Sequence, residues 1–167
     1  GGGSVIDCAK GISVVIANGG DILDYEGVDA IPLPGPPLIC IPTTAGTAAD
    51  ISQFAIINAV SRRTKVAIIS KIVVPDVALV DPQTTVTMSP SLTAFSGLDA
   101  LTHAIEAYVS SASSPLSDVH ALAAVRSVRA NLRQAVALPD DLQAREQMML
   151  ASLQAGMAFS NASLGAT

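Results

Sequence analysis

The sequence predicts an α/β N-terminal part followed by an all-α part, on three observations. Short continuous apolar runs of buried-strand type, Leu38-Ile-Cys-Ile41 and Val77-Ala-Leu-Val80, both lie before residue 88. Beyond about Met88 a helical pattern runs to near the end with few breaks. Half of the 167 residues are apolar but only 3% are aromatic. A core built from Ala, Val, Ile and Leu suits packed helices and buried parallel strands.

Element by element, Gly1-Gly-Gly-Ser4 opens a helix over about Val5 to Ala17, with Ser4 as N-cap and Asp7 in the first turn. Asn18-Gly19-Gly20 ends it. The Pro-rich stretch Pro32-Leu-Pro-Gly-Pro-Pro37 reads as loop, then Leu38–Ile41 as a strand. Pro42-Thr-Thr-Ala-Gly-Thr47 is a small, hydroxyl-rich loop. Gln53–Ala59 and Thr64–Ile69 read as a hairpin turning at Ser61-Arg62-Arg63, and Val77–Val80 as a further strand. Ser89-Pro90 starts the helical part, which divides at Ser110–Pro115 and Leu138–Asp141 into helices over about 90–110, 115–137 and 140–160. Two domains are expected, 1–88 and 89–167.

Composition narrows the function. The net charge is −5, and no basic patch carries interleaved aromatics, which argues against nucleic-acid binding. No apolar run reaches membrane-span length. Cys8 and Cys40 have neither metal nor redox spacing and fit a reduced, cytoplasmic protein. The chain opens on Gly1 without Met and stops at Asn-Ala-Ser-Leu-Gly-Ala-Thr167, so both ends read as cuts and an internal fragment is expected.

The most informative stretch is Gly97-Leu-Asp-Ala-Leu-Thr-His-Ala-Ile-Glu106. Asp99 and His103 stand four apart, on one face of a helix that the neighbours Leu98, Ala100, Leu101, Ala104, Ile105 and Ala107 mark as largely buried. A buried Asp and His must be paired or bound to metal. The pair is therefore half of a divalent-metal site or an internal hydrogen-bonded pair. A catalytic ion needs at least three protein ligands, so the site looks unfinished. His120 and Asp118, on the next helix, read as structural, and Glu106 as a structural pair or an outer partner of His103.

Two loops suit phosphate. The Gly1–Ser4 turn offers free N–H groups and a helix dipole, though an ordinary tight turn looks the same, and Gly-x-Gly-x-x-Gly is absent. Thr43, Thr44 and Thr47 offer three hydroxyls around Gly46, unless the turn caps itself with them. Lys65, at the start of the second hairpin strand, has the reach for a phosphate or ribose.

Together these segments resemble the iron-containing (group III) alcohol dehydrogenases. The resemblance rests on Gly1-Gly-Gly-Ser-Val-Ile-Asp7, Pro42-Thr-Thr-Ala-Gly-Thr-Ala-Ala-Asp50, Gly97-Leu-Asp-Ala-Leu-Thr-His-Ala-Ile-Glu-Ala-Tyr108 and Met157-Ala-Phe-Ser-Asn-Ala-Ser-Leu-Gly165, in the family's order. It implies a dehydroquinate synthase-like architecture: an incomplete Rossmann-like domain, an incomplete helical metal domain, and the cofactor in the cleft between them. It implies that Gly2, Gly3, Ser4 and Asp7 bind the pyrophosphate and nicotinamide side of NAD or NADP, with Thr43, Thr44, Thr47 and Lys65 as further cofactor residues. Asp99 and His103 match two of four ligands to Fe(II) or Zn(II); the family's other two are histidines that would follow Thr167.

The implied activity is hydride transfer between a primary or secondary alcohol and a nicotinamide, with the metal as Lewis acid. The implied partner is a small alcohol or aldehyde, with no nucleic acid or membrane, in a homo-oligomeric parent. Asp50, Phe54 and Ser96 depart from the commonest family residues. The alternative is a truncated, catalytically inactive fragment with a half metal site. Glycerol dehydrogenase and dehydroquinate synthase share the architecture but lack the Asp-Ala-Leu-Thr-His-Ala-Ile-Glu run.

Overall fold

The computed structural model describes residues 1–164. Gly165, the last residue of the fourth motif, lies outside the described residues with Ala166 and Thr167. The chain forms two compact units, one of Gly1–Ile41 with Ala49–Leu79, the other of Pro42–Ala48 with the chain from Val80 onward.

In the first unit, α1 runs over Gly3–Asn18 and buries the stripe Ile6, Lys10, Gly11 and Val14. Its N-cap is Gly2, whose carbonyl accepts from Val5 and Ile6 N–H, and not Ser4. The extended Gly2 backbone (φ −78°, ψ −179°) lets the helix begin two residues early, which moves Ser4 into the first turn as an exposed side chain. A 3-10 turn at Ile22–Tyr25 follows, closed by a capping box of Asp21 and Asp24.

The expected hairpin is β3 (Phe54–Ala59) against β4 (Thr64–Ile69), antiparallel, with Phe54 opposite Ile69 and Asn58 opposite Lys65. Arg63 takes a left-handed conformation (φ 52°) in the turn. Strand β1 (Gly27–Val28), which the sequence did not announce, pairs parallel with β4, giving the order β1-β4-β3. Two residues carry no periodicity to read. Strands β2 (Ile39–Cys40) and β5 (Val77–Ala78) form a separate parallel pair, each shorter than its apolar run. Val14, Tyr25, Ile31, Ala55, Ile68 and Val73 make the larger core of this unit, and Ile6, Cys40 and Ala49 a smaller one.

The second unit is helical: α2 (Pro90–Val109), α3 (Pro115–Ala137) and α4 (Leu142–Ala162), every pair of which packs together. Each start has the capping residue its sequence supplies. The Ser89 hydroxyl accepts from Leu92 N–H, Ser114 and Ser117 form a capping box, and the Asp141 carboxylate accepts from Ala144 N–H. That last cap starts α4 at Leu142, two residues later than expected. The seam is alanine-rich: Ala100, Ala104 and Ala107 of α2, Ala121 and Ala124 of α3, and Ala151, Ala155 and Ala158 of α4 are all fully buried. Small residues let the helices approach closely, most of all at Gly97, where a Cβ would lie 2.4 Å from Leu132 Cδ1 and 2.9 Å from Met148 Cε.

The change of character expected near residue 88 lies beside a different division. The units separate between Leu79 and Val80, because Val80 and the 3-10 turn Pro82–Thr85 pack with the helices, the turn against α4. No helix among the described residues is long and apolar enough to cross a membrane.

Candidate metal and cofactor residues

Asp99 and His103 share one face of α2, with His103 Nε2 3.5 Å from Asp99 Oδ1. Helix α2 is only half-buried: Ala100, Ala104 and Ala107 are covered, but Leu98 and Ile105 are about half exposed. The expectation of a largely buried helix is corrected accordingly. Asp99 remains 43% exposed, so burial alone does not force it to be paired. The two sides of the helix differ because only its alanine seam faces α3 and α4.

His103 is more constrained. Its side chain is 21% exposed, its ring lies 5.0 Å from that of Phe159 on α4, and its Nδ1 is buried with no partner among the described residues. A buried ring nitrogen without a partner is uncommon and calls for one. The donors, a carboxylate oxygen and an imidazole nitrogen, suit Fe(II) or Zn(II). With bonds of about 2.0–2.2 Å, two donors on one ion stand roughly 3–3.5 Å apart, which the pair already satisfies. Geometry and chemistry fit a divalent ion; no group of three donors occurs among the described residues. His120 is half-buried on α3 and joins no donor cluster.

The threonine loop belongs to the same unit. The Thr84 hydroxyl donates to Pro42 O at 2.7 Å, anchoring its start. Gly46 approaches α2 so closely that a Cβ would stand 2.8 Å from Ser96 O. Thr43 and Thr44 are half-buried and Thr47 exposed, and their hydroxyls make no hydrogen bond among the described residues. The turn does not cap itself with these side chains. The hydroxyls are left available.

In the first unit the N-terminus of α1 presents the N–H groups of Gly3 and Ser4, without a partner among the described residues, beside the exposed Ser4 side chain. Lys65 is exposed and lines a shallow cavity of about 260 Å³ with Asn58, Ala59, Val60, Arg63 and Thr64. Asp7 is engaged structurally as well: its Oδ2 accepts from Ile56 N–H at 3.2 Å. Burial raises its carboxyl above the usual carboxylate range, against the opposing effects of that N–H and of Lys10.

Lys10 was missed by the sequence reading. It is 1% exposed and donates to Ser52 O and Phe54 O, both at 2.8 Å, and to Ser52 Oγ at 3.4 Å. Burial pulls its ammonium down to about 8, against the charges of Asp7, Cys40 and Asp50. Burial likewise raises Asp50 and the Cys40 thiol. The signal was present: Ile6, Lys10 and Val14 recur at helical spacing, so the lysine sits in an apolar stripe.

Residues 1–82 match the family model for iron-containing alcohol dehydrogenase, and residues 93–167 that for the C-terminal part of the Fe-containing alcohol dehydrogenase family. The chain belongs to the iron-containing alcohol dehydrogenase family. It is 51% identical over 165 residues to alcohol dehydrogenase 4 of Schizosaccharomyces pombe, covering 99% of this chain and 39% of that protein. It is 45% identical to 1,3-propanediol dehydrogenase of Klebsiella pneumoniae, covering 99% of this chain and 43% of that one. Among solved structures, a 1,3-propanediol oxidoreductase superposes with a TM-score of 0.95 at 44% identity, over 98% of this chain and 43% of its own. The sulfoacetaldehyde reductase of Bifidobacterium kashiwanohense, solved in complex with NAD+, superposes with a TM-score of 0.93 at 36% identity, over 98% and 44%. The chain thus spans about two fifths of the length of these relatives.

Proposed function

We propose that this protein is an NAD(P)-linked alcohol dehydrogenase that works with a divalent metal, Fe(II) or Zn(II). The observation that carries the reading is the Asp99–His103 pair: two donors, Oδ1 and Nε2, 3.5 Å apart on one turn of α2, in a member of a family of iron-containing alcohol dehydrogenases. The ion, when bound, supplies Lewis-acid character to an alcohol hydroxyl, and the nicotinamide serves as hydride acceptor.

The chain's own residues bind and orient. Asp99 and His103 hold the ion, and Phe159 fixes the imidazole plane from α4. Gly2, Gly3 and Ser4 offer backbone N–H groups to the pyrophosphate at the positive end of α1. Thr43, Thr44 and Thr47 donate unused hydroxyls to phosphate or ribose oxygens. Lys65 meets a ribose or phosphate as a point charge, with Asp7 near the start of α1. The substrate is a small primary or secondary alcohol, or in reverse an aldehyde or ketone.

A second reading is favoured by the donor count. Asp99 and His103 have no third donor beside them among the described residues, and a two-donor site binds metal weakly. The 167-residue chain taken alone is then expected to turn over little alcohol. One experiment addresses both readings. The gene product that carries this sequence, and the 167-residue chain, are purified, loaded with Fe(II) or Zn(II), and assayed for NAD- and NADP-linked oxidation of a panel of alcohols. Metal-dependent reduction of cofactor by the gene product supports the first reading, and none by the chain alone supports the second. A gene product that is equally active after complete chelation overturns the metal assignment.

A further inference from the structure

The placement of Lys10 carries a consequence for the proposed cofactor site. Strand β3 lies at the end of the order β1-β4-β3, so one of its edges has no partner strand among the described residues. Gln53 O accepts from Ser70 N–H on the β4 side. By the two-residue alternation of a strand, the main chain of Ser52, Phe54 and Ile56 faces the open edge. Helix α1 closes that edge with two side chains one turn apart. The Lys10 ammonium takes Ser52 O, Phe54 O and Ser52 Oγ, using all three of its protons, and Asp7 Oδ2 takes Ile56 N–H. Acceptors are met by a cation and the donor by an anion. A neutral side chain of that length would serve at most part of this edge.

The elements so joined carry every cofactor residue proposed in this unit. Gly2, Gly3 and Ser4 start α1. Lys65 stands opposite Asn58 in the β3–β4 ladder, four residues along from Phe54. Two locks in series, the Lys10 contacts and the ladder, therefore set the spacing between the glycine turn and Lys65.

We propose that Lys10 is a positioning residue for the dinucleotide, pinning the open edge of β3 to α1 so that Lys65 and the Gly2–Ser4 backbone meet one cofactor at once. This rests on the reading of the unit as cofactor-binding.

The test uses the gene product that carries this sequence, with Lys10→Met, Lys10→Arg, Lys65→Ala and the Lys10→Met/Lys65→Ala double variant. NADH dissociation constants are measured by fluorescence titration, together with KM for NAD, kcat at saturating cofactor and bound metal. Lys10→Met is expected to weaken NADH binding and raise KM about tenfold, with kcat within threefold and metal content unchanged. Lys10→Arg should recover part of the loss. The double variant should bind no more than about twofold more weakly than Lys65→Ala, because Lys10 acts through Lys65. NADH binding by Lys10→Met equal to wild type overturns the proposal, as do losses that simply multiply in the double variant. Should Lys10→Met fail to fold, Lys10→Gln and Lys10→Gln/Lys65→Ala decide: a weakening of NADH binding that vanishes when Lys65 is absent supports the assignment, and binding by Lys10→Gln equal to wild type ends it. A wild-type protein that binds no NADH or NADPH overturns the proposed function instead.

Discussion

On α2, His103 Nε2 lies 3.5 Å from Asp99 Oδ1, while His103 Nδ1 is buried and has no partner among the described residues. The pair is too long for a good N–H···O bond and suits two donors around one ion. On the proposed metal reading, Asp99 matters for metal retention more than for folding. Asp99 is 43% exposed, so removing its carboxylate leaves no cavity.

Asp99→Ala and His103→Ala in the gene product that carries this sequence are each expected to lower bound Fe or Zn at least tenfold. The thermal midpoint measured in the presence of chelator should barely move for Asp99→Ala. Metal analysis beside a melting curve checks both. Full metal content in either variant would end the assignment.

Gly97 tests the helical seam. A Cβ at this position would lie 2.4 Å from Leu132 Cδ1 and 2.9 Å from Met148 Cε. Both contacts are ends of flexible side chains, so Gly97→Ala should fold and be destabilised by about 1–3 kcal/mol through overpacking. Asp99 lies two residues on, so the forced separation of α2 from α3 and α4 should also weaken metal binding. Denaturant unfolding of the metal-free protein isolates the stability effect.

How much of this was legible beforehand can be read from single elements. The helices α2, α3 and α4 and the β3–β4 hairpin emerged within a few residues because their periodicity is long and their caps are explicit: Ser89-Pro90, Ser114-Pro115, Asp141. Strand β1 and the three 3-10 turns did not, since two to four residues carry no period. The Asp99–His103 face was legible from spacing alone. Its half exposure was not, because Leu98 and Ile105 read as core from their chemistry and are solvent-facing in the structure. The burial of Lys10 is legible from its place in the Ile6–Val14 stripe, but its partners are not, because they stand 42 and 44 residues away, where no local motif encodes them.

The unused hydroxyls of the threonine loop predict a selective loss. Thr44→Val keeps shape but removes the hydroxyl, and no hydrogen bond among the described residues depends on it. Stability should change by less than about 0.5 kcal/mol, as for substitutions away from packing or paired groups. Affinity for NADH should fall severalfold while metal content stays constant. A variant that loses stability and keeps its NADH affinity would show that Thr44 serves the loop and not the cofactor.

The Lys10 site also predicts a pH dependence whose sign differs from that of a salt bridge. Its ammonium titrates at about 8 in the fold against 10.5 when free, because burial disfavours the charge. Unfolding between these values takes up a proton, so by linkage the group adds stability as pH rises from about 8 to 10.5 and has lost that contribution below the lower value. Asp7, Asp50 and Cys40 face it, and burial raises all three as it lowers Lys10. The neutral amine keeps two donors for Ser52 O and Phe54 O and gives up the longest contact, to Ser52 Oγ. In denaturant unfolding, wild type should gain on Lys10→Met through this window by up to about 3 kcal/mol, on the scale of about 1.4 kcal/mol per pKa unit. Below pH 8 the difference should be flat. A difference that instead shrinks above pH 8 would mean that the ammonium is favoured in the fold and that its three acceptors outweigh its burial.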